Sequence, residues 1–100
     1  MAITLKPFDA AKYIETEDDF AELLSEAMET GDPAYIANAL GVVARARGMT
    51  GVAKEAGVTR EALYKALSPT GDPKLSTLLG VMKALGVRLS VAPAADLREA

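Results

Sequence analysis

The chain contains no cysteine, no histidine and no tryptophan among its 100 residues. Without cysteine it can form neither a disulfide bond nor a thiolate metal site, which suits a reducing compartment. Without histidine it lacks the most common general base and metal ligand. The sequence also shows no glycine-rich phosphate loop and no paired buried carboxylates, so no catalytic constellation can be assembled. We therefore expect a protein that is not an enzyme and that needs no metal or other cofactor.

Long hydrophobic runs are also absent. No stretch approaches the length of about 20 apolar residues that a membrane-spanning helix needs, and the first twenty residues lack the basic and apolar blocks of a signal peptide. The chain has only five aromatic residues, while half of all its residues are hydrophobic and many are alanine or leucine. This composition favours closely packed helices in one compact domain. We expect a cytoplasmic protein without membrane contact.

Charge is distributed unevenly along the chain, whose net charge is −3. Residues 1–32 carry two basic and nine acidic side chains, whereas residues 33–100 carry nine basic and five acidic ones. The acidic third fits a solvated helix surface, and it also fits a docking surface for a basic partner. Because nucleic-acid binding needs only a local positive face, the negative total does not exclude it.

Two helices are predicted in the first half of the chain. The first is capped by Thr16 and carries an apolar stripe made of Phe20, Leu23, Leu24, Ala27 and Met28. Gly31 ends this helix, Asp32 caps the second one, and Pro33 lies in its first turn. The second helix ends at Gly48, and its inward residues are Ile36, Leu40, Val43 and Ala44.

A further helix and a strand are predicted near the end of the chain. Asp72 and Pro73 start this helix, which ends at Gly86, and its inward residues are Leu75, Leu78, Leu79, Met82 and Leu85. Residues 87–91 alternate apolar and polar side chains, which is typical of a short β-strand. Because a single strand leaves its backbone groups unpaired, it would pair with residues 3–5 or with the same strand of a second copy.

Residues 49–67, which we call the reader, form the most informative segment of the sequence. They predict two short helices that are hinged at Gly57, where the chain needs a positive φ. Thr50 would cap the first helix and Thr59 the second, while the small Ala53 lies at the helix crossing. The core-facing residues would be Val52, Ala53, Ala56, Val58, Leu63, Ala66 and Leu67. This spacing is typical of a helix-turn-helix, although an ordinary helical hairpin would also produce it.

The outward face of the second reader helix favours DNA recognition. It offers polar donors and one aromatic ring, with Arg60 and Glu61 expected at base edges in the major groove and Tyr64 and Lys65 at the flank. Phosphate contacts are expected from Thr50, Thr59, Ser68, Lys74 and Arg47. Arg47 equally suits the C-terminal dipole of its own helix. Because one short helix reads too few base pairs, we expect a symmetric homodimer on double-stranded operator DNA.

A set of short motifs lies within residues 5–90. The motifs are Phe8-Asp9, Tyr13-Ile14, Gly31-Asp32-Pro33, Ala39-Leu40-Gly41, residues 44–49, Ala53, residues 57–68, Gly71-Asp72-Pro73, Thr77-Leu78 and residues 83–86. With them the chain resembles the small bacterial and prophage-associated addiction-module antidote proteins. These are relatives of HigA-type antitoxins that have a Cro/repressor-like domain.

The patterns and the resemblance together predict an all-α fold. It would be a five-helix Cro/repressor-like helix-turn-helix domain with an N-terminal helical extension and a short C-terminal β-strand. A single domain would cover residues 1–100, with the acidic extension at 1–31, the core with its reader at 32–92, and a tail at 93–100.

The resemblance implies a dual function. Such antitoxins of type II toxin–antitoxin modules neutralise a cognate toxin, usually a basic RelE-like RNA-cleaving protein encoded beside them, and they repress their own operon. Many repressor-like domains open the first reader helix with a glutamine that holds a phosphate. This chain has Met49-Thr50-Gly51 there, so Thr50 would take over the contact. Two alternatives stay open: a prophage-type transcriptional regulator without a toxin partner, and a toxin-binding interaction module whose DNA reader is vestigial.

Overall fold

The computed structural model describes residues 14–94, and the secondary structure in this range consists of five α-helices. They are α1 (Glu17–Thr30), α2 (Pro33–Arg47), α3 (Met49–Ala56), α4 (Arg60–Ala66) and α5 (Leu75–Ala84). The prediction of an all-α fold is confirmed for this part of the chain. None of these helices is long and apolar enough to cross a membrane.

Helix α1 begins with a capping box, as its sequence predicts. The Thr16 hydroxyl accepts a hydrogen bond from the Asp19 N–H at 3.1 Å, and the Asp19 carboxylate accepts one from the Thr16 N–H at 3.1 Å. The same carboxylate also accepts the Glu15 N–H at 3.0 Å. The backbone hydrogen bonds from Glu15 and Thr16 favour the ionised carboxylate and lower the pKa of Asp19 below its ordinary value. Gly31 ends the helix with a φ of 65°.

Helices α2 and α3 follow each other almost directly. The Asp32 carboxylate caps α2 by accepting the Ala34 N–H at 3.0 Å, which confirms the predicted cap. Gly48 alone separates the two helices, with a φ of 119° that L-residues rarely adopt. Since α3 already begins at Met49, Thr50 lies inside the helix and is not its cap. The prediction of a Thr50 cap is wrong because the bend uses only one residue.

The core is formed by one cluster of buried apolar side chains from all five helices. Its fully buried members include Leu40, Val43, Val52, Leu63, Val81 and Leu85. Helix α1 packs against α2, and α3 packs against both α4 and α5. Two helical glycines allow close approach of backbones. A Cβ atom on Gly41 would lie 2.9 Å from the Leu67 carbonyl oxygen, and one on Gly80 would lie 2.9 Å from the Ala56 Cα.

The orientation of α5 differs from the prediction. Leu75 is 66% exposed and Leu79 is 46% exposed, whereas Val81 is completely buried. The buried stripe is centred near Val81 and Leu85, and at 3.6 residues per turn Leu75 and Leu79 lie roughly 100–140° around the helix from it. The predicted inward position of these two leucines is therefore wrong.

The predicted C-terminal strand is also wrong, because residues 87–91 form no β-strand within the described range of 14–94. Gly86 has a φ of 75°, and the Val87 N–H donates to the Met82 carbonyl at 3.0 Å. This backbone therefore completes the end of α5 instead of starting a ladder. Val91 is 96% exposed. The alternation of side chains alone could not supply the paired backbone that a strand needs, and the predicted partner at residues 3–5 lies outside the described residues.

Candidate nucleic-acid interface

The turn between α3 and α4 has the geometry that the sequence predicts. Gly57 adopts a φ of 76°, its N–H donates to the Lys54 carbonyl at 3.2 Å, and the Val58 N–H donates to the Ala53 carbonyl at 3.0 Å. These bonds satisfy carbonyl groups at the end of α3. The Thr59 hydroxyl accepts the Ala62 N–H at 3.0 Å and so caps α4 as predicted. The turn thus fixes the orientation of α4 relative to α3.

Three of the predicted site residues meet on the exposed side of this turn. The Arg60 Nη1 donates to the Thr50 Oγ1 at 3.4 Å, and its Nη2 donates to the Tyr64 hydroxyl at 3.4 Å. The guanidinium carbon lies 5.6 Å from the centroid of the Tyr64 ring, a distance typical of a cation–π contact. We call Thr50, Arg60 and Tyr64 the Arg60 cluster. It joins the first turn of α3 to the first turn of α4.

The Arg60 cluster exposes a cation that contacts two neighbouring hydroxyl groups. All three side chains are exposed to solvent, and Tyr64 is 42% exposed. An arginine has five N–H donors in a planar fork, so two bonds to hydroxyl groups leave donors for an external acceptor. Chemically the cluster can therefore bind an acceptor-rich or anionic partner such as nucleic acid.

The other two predicted base-reading residues lie on the same helix as Arg60. Glu61 and Lys65 are both exposed on α4, and they are four residues apart, which places them side by side on the helix surface. The face of α4 therefore combines two cations, one carboxylate and one tyrosine ring. Their role in base recognition stays a prediction.

The remaining predicted phosphate contacts lie at helix ends. The Ser68 hydroxyl donates to the Lys65 carbonyl at 2.9 Å and lies 3.3 Å from the Thr70 hydroxyl, so it supports the end of α4. Lys74 is exposed at the N-cap position of α5. Arg47 is exposed at the end of α2 and lines a shallow depression together with Gly51 and Glu55. Among the described residues, Ser68, Lys74 and Arg47 form no hydrogen bond with the side chain of Arg60.

A second surface feature, which the sequence did not reveal, lies along α1. A groove of about 780 Å³, which we call the α1 groove, runs between α1 and residues 86–92. Apolar side chains of Leu24, Met28 and Met82 line it, and its rim includes the carboxylates of Glu17 and Glu29. The sequence pattern does not indicate this groove, because one of its walls is the segment predicted as a β-strand. Within residues 14–94 no group of acidic residues is arranged to hold a metal ion.

Comparison with known proteins identifies relatives along almost the whole chain. Residues 4–93 match a family that is described as probable addiction module antidote protein. An uncharacterized protein of Haemophilus influenzae is 43% identical over 91 residues, which cover 91% of this chain and 94% of the relative. No solved structure matches the chain.

Proposed function

The chain belongs to the family of probable addiction module antidote proteins, and from this premise we propose that it is a DNA-binding antitoxin that neutralises its toxin and represses its own operon. Membership of the family implies a toxin partner. DNA binding and repression go beyond the family description and are part of our proposal. The observation that carries this extension is the Arg60 cluster on the exposed face of the α3–α4 turn.

The local charge and shape of the reader support binding to the major groove. Helix α4 is short, exposed along one side and fixed by the turn at Gly57, so it can enter a groove without rearranging the core. Arg60 and Glu61 would contact base edges, and Tyr64 and Lys65 would lie beside them. Thr50, Thr59, Ser68, Lys74 and Arg47 would contact phosphates, as the sequence predicts.

We expect a homodimer because the reader is small. One helix of seven residues contacts too few base pairs to distinguish an operator, whereas a symmetric pair doubles the site. Leu75 and Leu79 form an exposed apolar pair on α5, and we assign the dimer contact to this pair. Replacing Leu79 by glutamate should lower the mass that light scattering measures from that of a dimer to that of a monomer. An unchanged mass would exclude this contact.

The alternative is an interaction module that binds the toxin but not DNA. The α1 groove favours this function, because its lining combines apolar side chains with three carboxylates and one cation, Arg88. This net negative charge suits a basic, partly apolar segment of a RelE-like toxin. Toxin binding by the α1 groove and DNA binding by the reader would use different surfaces of the chain. Variants at Arg60 and variants at the rim of the groove separate them.

A reporter assay tests the proposed repression in cells. A reporter gene placed behind the promoter of this chain's own operon should be silenced by the wild type and released by Arg60→Ala. Arg88→Ala is the matched control, because it also removes one positive charge but lies in the wall of the α1 groove. Equal repression by the wild type and Arg60→Ala would show that Arg60 does not read the operator.

A growth assay tests neutralisation separately. The small protein encoded beside this chain's gene should arrest growth when it is expressed alone, and co-expression of the wild type or of Arg60→Ala should restore growth. Rescue by both the wild type and Arg60→Ala would show that neutralisation of the toxin does not depend on Arg60. Failure of the wild type to rescue would contradict the antitoxin function.

A further inference from the structure

We propose that Thr50 and Tyr64 hold the Arg60 guanidinium as a preset fork for guanine, so that the reader selects operators with a guanine opposite Arg60. This inference rests on the DNA-binding function proposed above and specifies which base the site recognises. Arg60 would be the residue that determines specificity, and Thr50 and Tyr64 would be positioning residues.

Three contacts from two helices restrain one flexible side chain. Thr50 on α3 accepts a hydrogen bond from Nη1, and the Tyr64 hydroxyl on α4 accepts one from Nη2, both at 3.4 Å. The ring of Tyr64 contacts the same guanidinium from 5.6 Å. A free arginine samples many rotamers, and ordering them on binding lowers affinity. The Arg60 cluster removes part of that cost before DNA arrives.

The planar geometry of the guanidinium favours guanine over other acceptors. Guanine presents N7 and O6 side by side in the major groove, and arginine pairs with both atoms through two parallel N–H bonds. Adenine presents one acceptor and one donor at the same edge, so the second N–H of the fork would meet a donor. A phosphate accepts hydrogen bonds over a wide range of directions and gains less from a fixed plane. A preset fork is therefore most useful at a base edge.

Thr50 can connect base recognition to backbone contact. Its hydroxyl oxygen accepts from Arg60, so its own proton stays free to be donated to a phosphate oxygen. The contact to phosphate that the sequence predicts for Thr50 is compatible with this second role. One hydroxyl group would then fix the register of α3 on the backbone and the position of Arg60 on the base.

The experiment uses the full chain and a library of double-stranded DNA with a randomised central segment. After selection with the wild type, each guanine of the enriched duplex is replaced in turn by 7-deazaguanine, which lacks the N7 acceptor and keeps Watson–Crick pairing. We expect at least one replacement to weaken wild-type binding about tenfold, because it removes half of a bidentate pair. Arg60→Ala, which removes the guanidinium and with it every donor to N7, should abolish this penalty.

The positioning residues are tested by the same penalty. Thr50→Val and Tyr64→Phe should each reduce the penalty about threefold, because each loses one hydrogen bond to the guanidinium. Thr50→Ser should restore it, and Thr70→Val is the matched control, since the Thr70 hydroxyl lies near Ser68 instead of Arg60. The penalty compares two duplexes on one protein, so a general loss of stability does not change it.

Each outcome decides between the proposals. The selected duplex could contain no guanine whose replacement by 7-deazaguanine weakens binding in an Arg60-dependent way. That result would overturn the inference and leave DNA binding intact. If the penalty is unchanged in both Thr50→Val and Tyr64→Phe, these residues do not position Arg60. That result too would overturn the inference and leave DNA binding intact. Enrichment of no sequence at all would overturn the DNA-binding function itself, and the inference with it.

Discussion

Gly80 of α5 lies directly against the backbone of Ala56 in α3. A Cβ atom at Gly80 would lie 2.9 Å from the Ala56 Cα and 3.2 Å from its Cβ. Because both contacts are with atoms of a helix, no flexible side chain can move aside. This contact limits how closely α5 and α3 approach each other.

Gly80→Ala should therefore destabilise the protein. Alanine is the better helix former by about 1 kcal/mol, yet the steric overlap with Ala56 should lower the free energy of unfolding by about 1–3 kcal/mol overall. Urea denaturation measures the difference. Gly51→Ala is the matched control, because a Cβ atom there meets nothing within 4 Å. We expect that control to gain stability, and an equal gain for Gly80→Ala would refute the close contact.

Thr59→Ala should weaken the start of α4. The variant leaves the Ala62 N–H without its side-chain acceptor, and loss of an N-cap costs about 1 kcal/mol of unfolding free energy. Thr59→Ser keeps the acceptor and should restore most of the stability. If both variants unfold at the same urea concentration as the wild type, the cap does not stabilise α4.

Asp19 should make the stability of α1 dependent on pH. Its pKa is lowered in the folded state by the Glu15 and Thr16 N–H groups, so the ionised carboxylate stabilises the fold above its ordinary pKa of 3.8. This contribution is lost as the pH falls through that value and below it. Asp19→Asn should therefore lose less stability than the wild type on acidification. Urea titrations at a series of acidic pH values measure the slope, with Asp18→Asn as the control of equal charge.

The rim of the α1 groove should contribute to toxin binding. Glu29 lines the groove and Glu26, on the same helix, does not. Glu29→Lys should raise the dissociation constant for the protein encoded beside this chain's gene about tenfold, because like charges then meet at the interface. Calorimetry measures the constant. Glu26→Lys makes the same change of charge outside the groove and should bind like the wild type; equal weakening by both would point to net charge alone.

Local signals in the sequence predict several helix ends correctly, but not the start of α3, which Thr50 does not cap. The predicted start of the last helix at Asp72 and Pro73 is also wrong, because α5 begins at Leu75 after Lys74. Thr16, Asp32 and Thr59 each cap a helix, and Gly31 and Gly57 each take a positive φ. Each of these features depends on a few neighbouring residues, and the chemistry of one side chain or the lack of a Cβ atom decides it. The helical spacing of apolar residues also predicts most of the buried side chains of α1 to α4, although it misses Ala37, Ala39 and Met49.

Features that depend on tertiary contacts were predicted poorly. Leu75 and Leu79 fit a helical stripe, yet the packing of α5 on α3 turns them outward. Residues 87–91 fit a strand, but a strand requires a partner that the described chain does not provide. The meeting of Thr50 with Arg60 depends on the angle between α3 and α4, and no spacing in the sequence specifies that angle.

Specific binding of operator DNA by the reader can be tested by a comparison of two duplexes. Fluorescence anisotropy gives the dissociation constants of the wild type for the promoter region of its own operon and for a shuffled duplex of equal length, at several salt concentrations. We predict that the promoter binds about a thousandfold more tightly, with an affinity that falls as salt rises. Arg60→Ala should reduce this preference about tenfold. Equal affinity of the wild type for both duplexes would show that the reader does not recognise the operator.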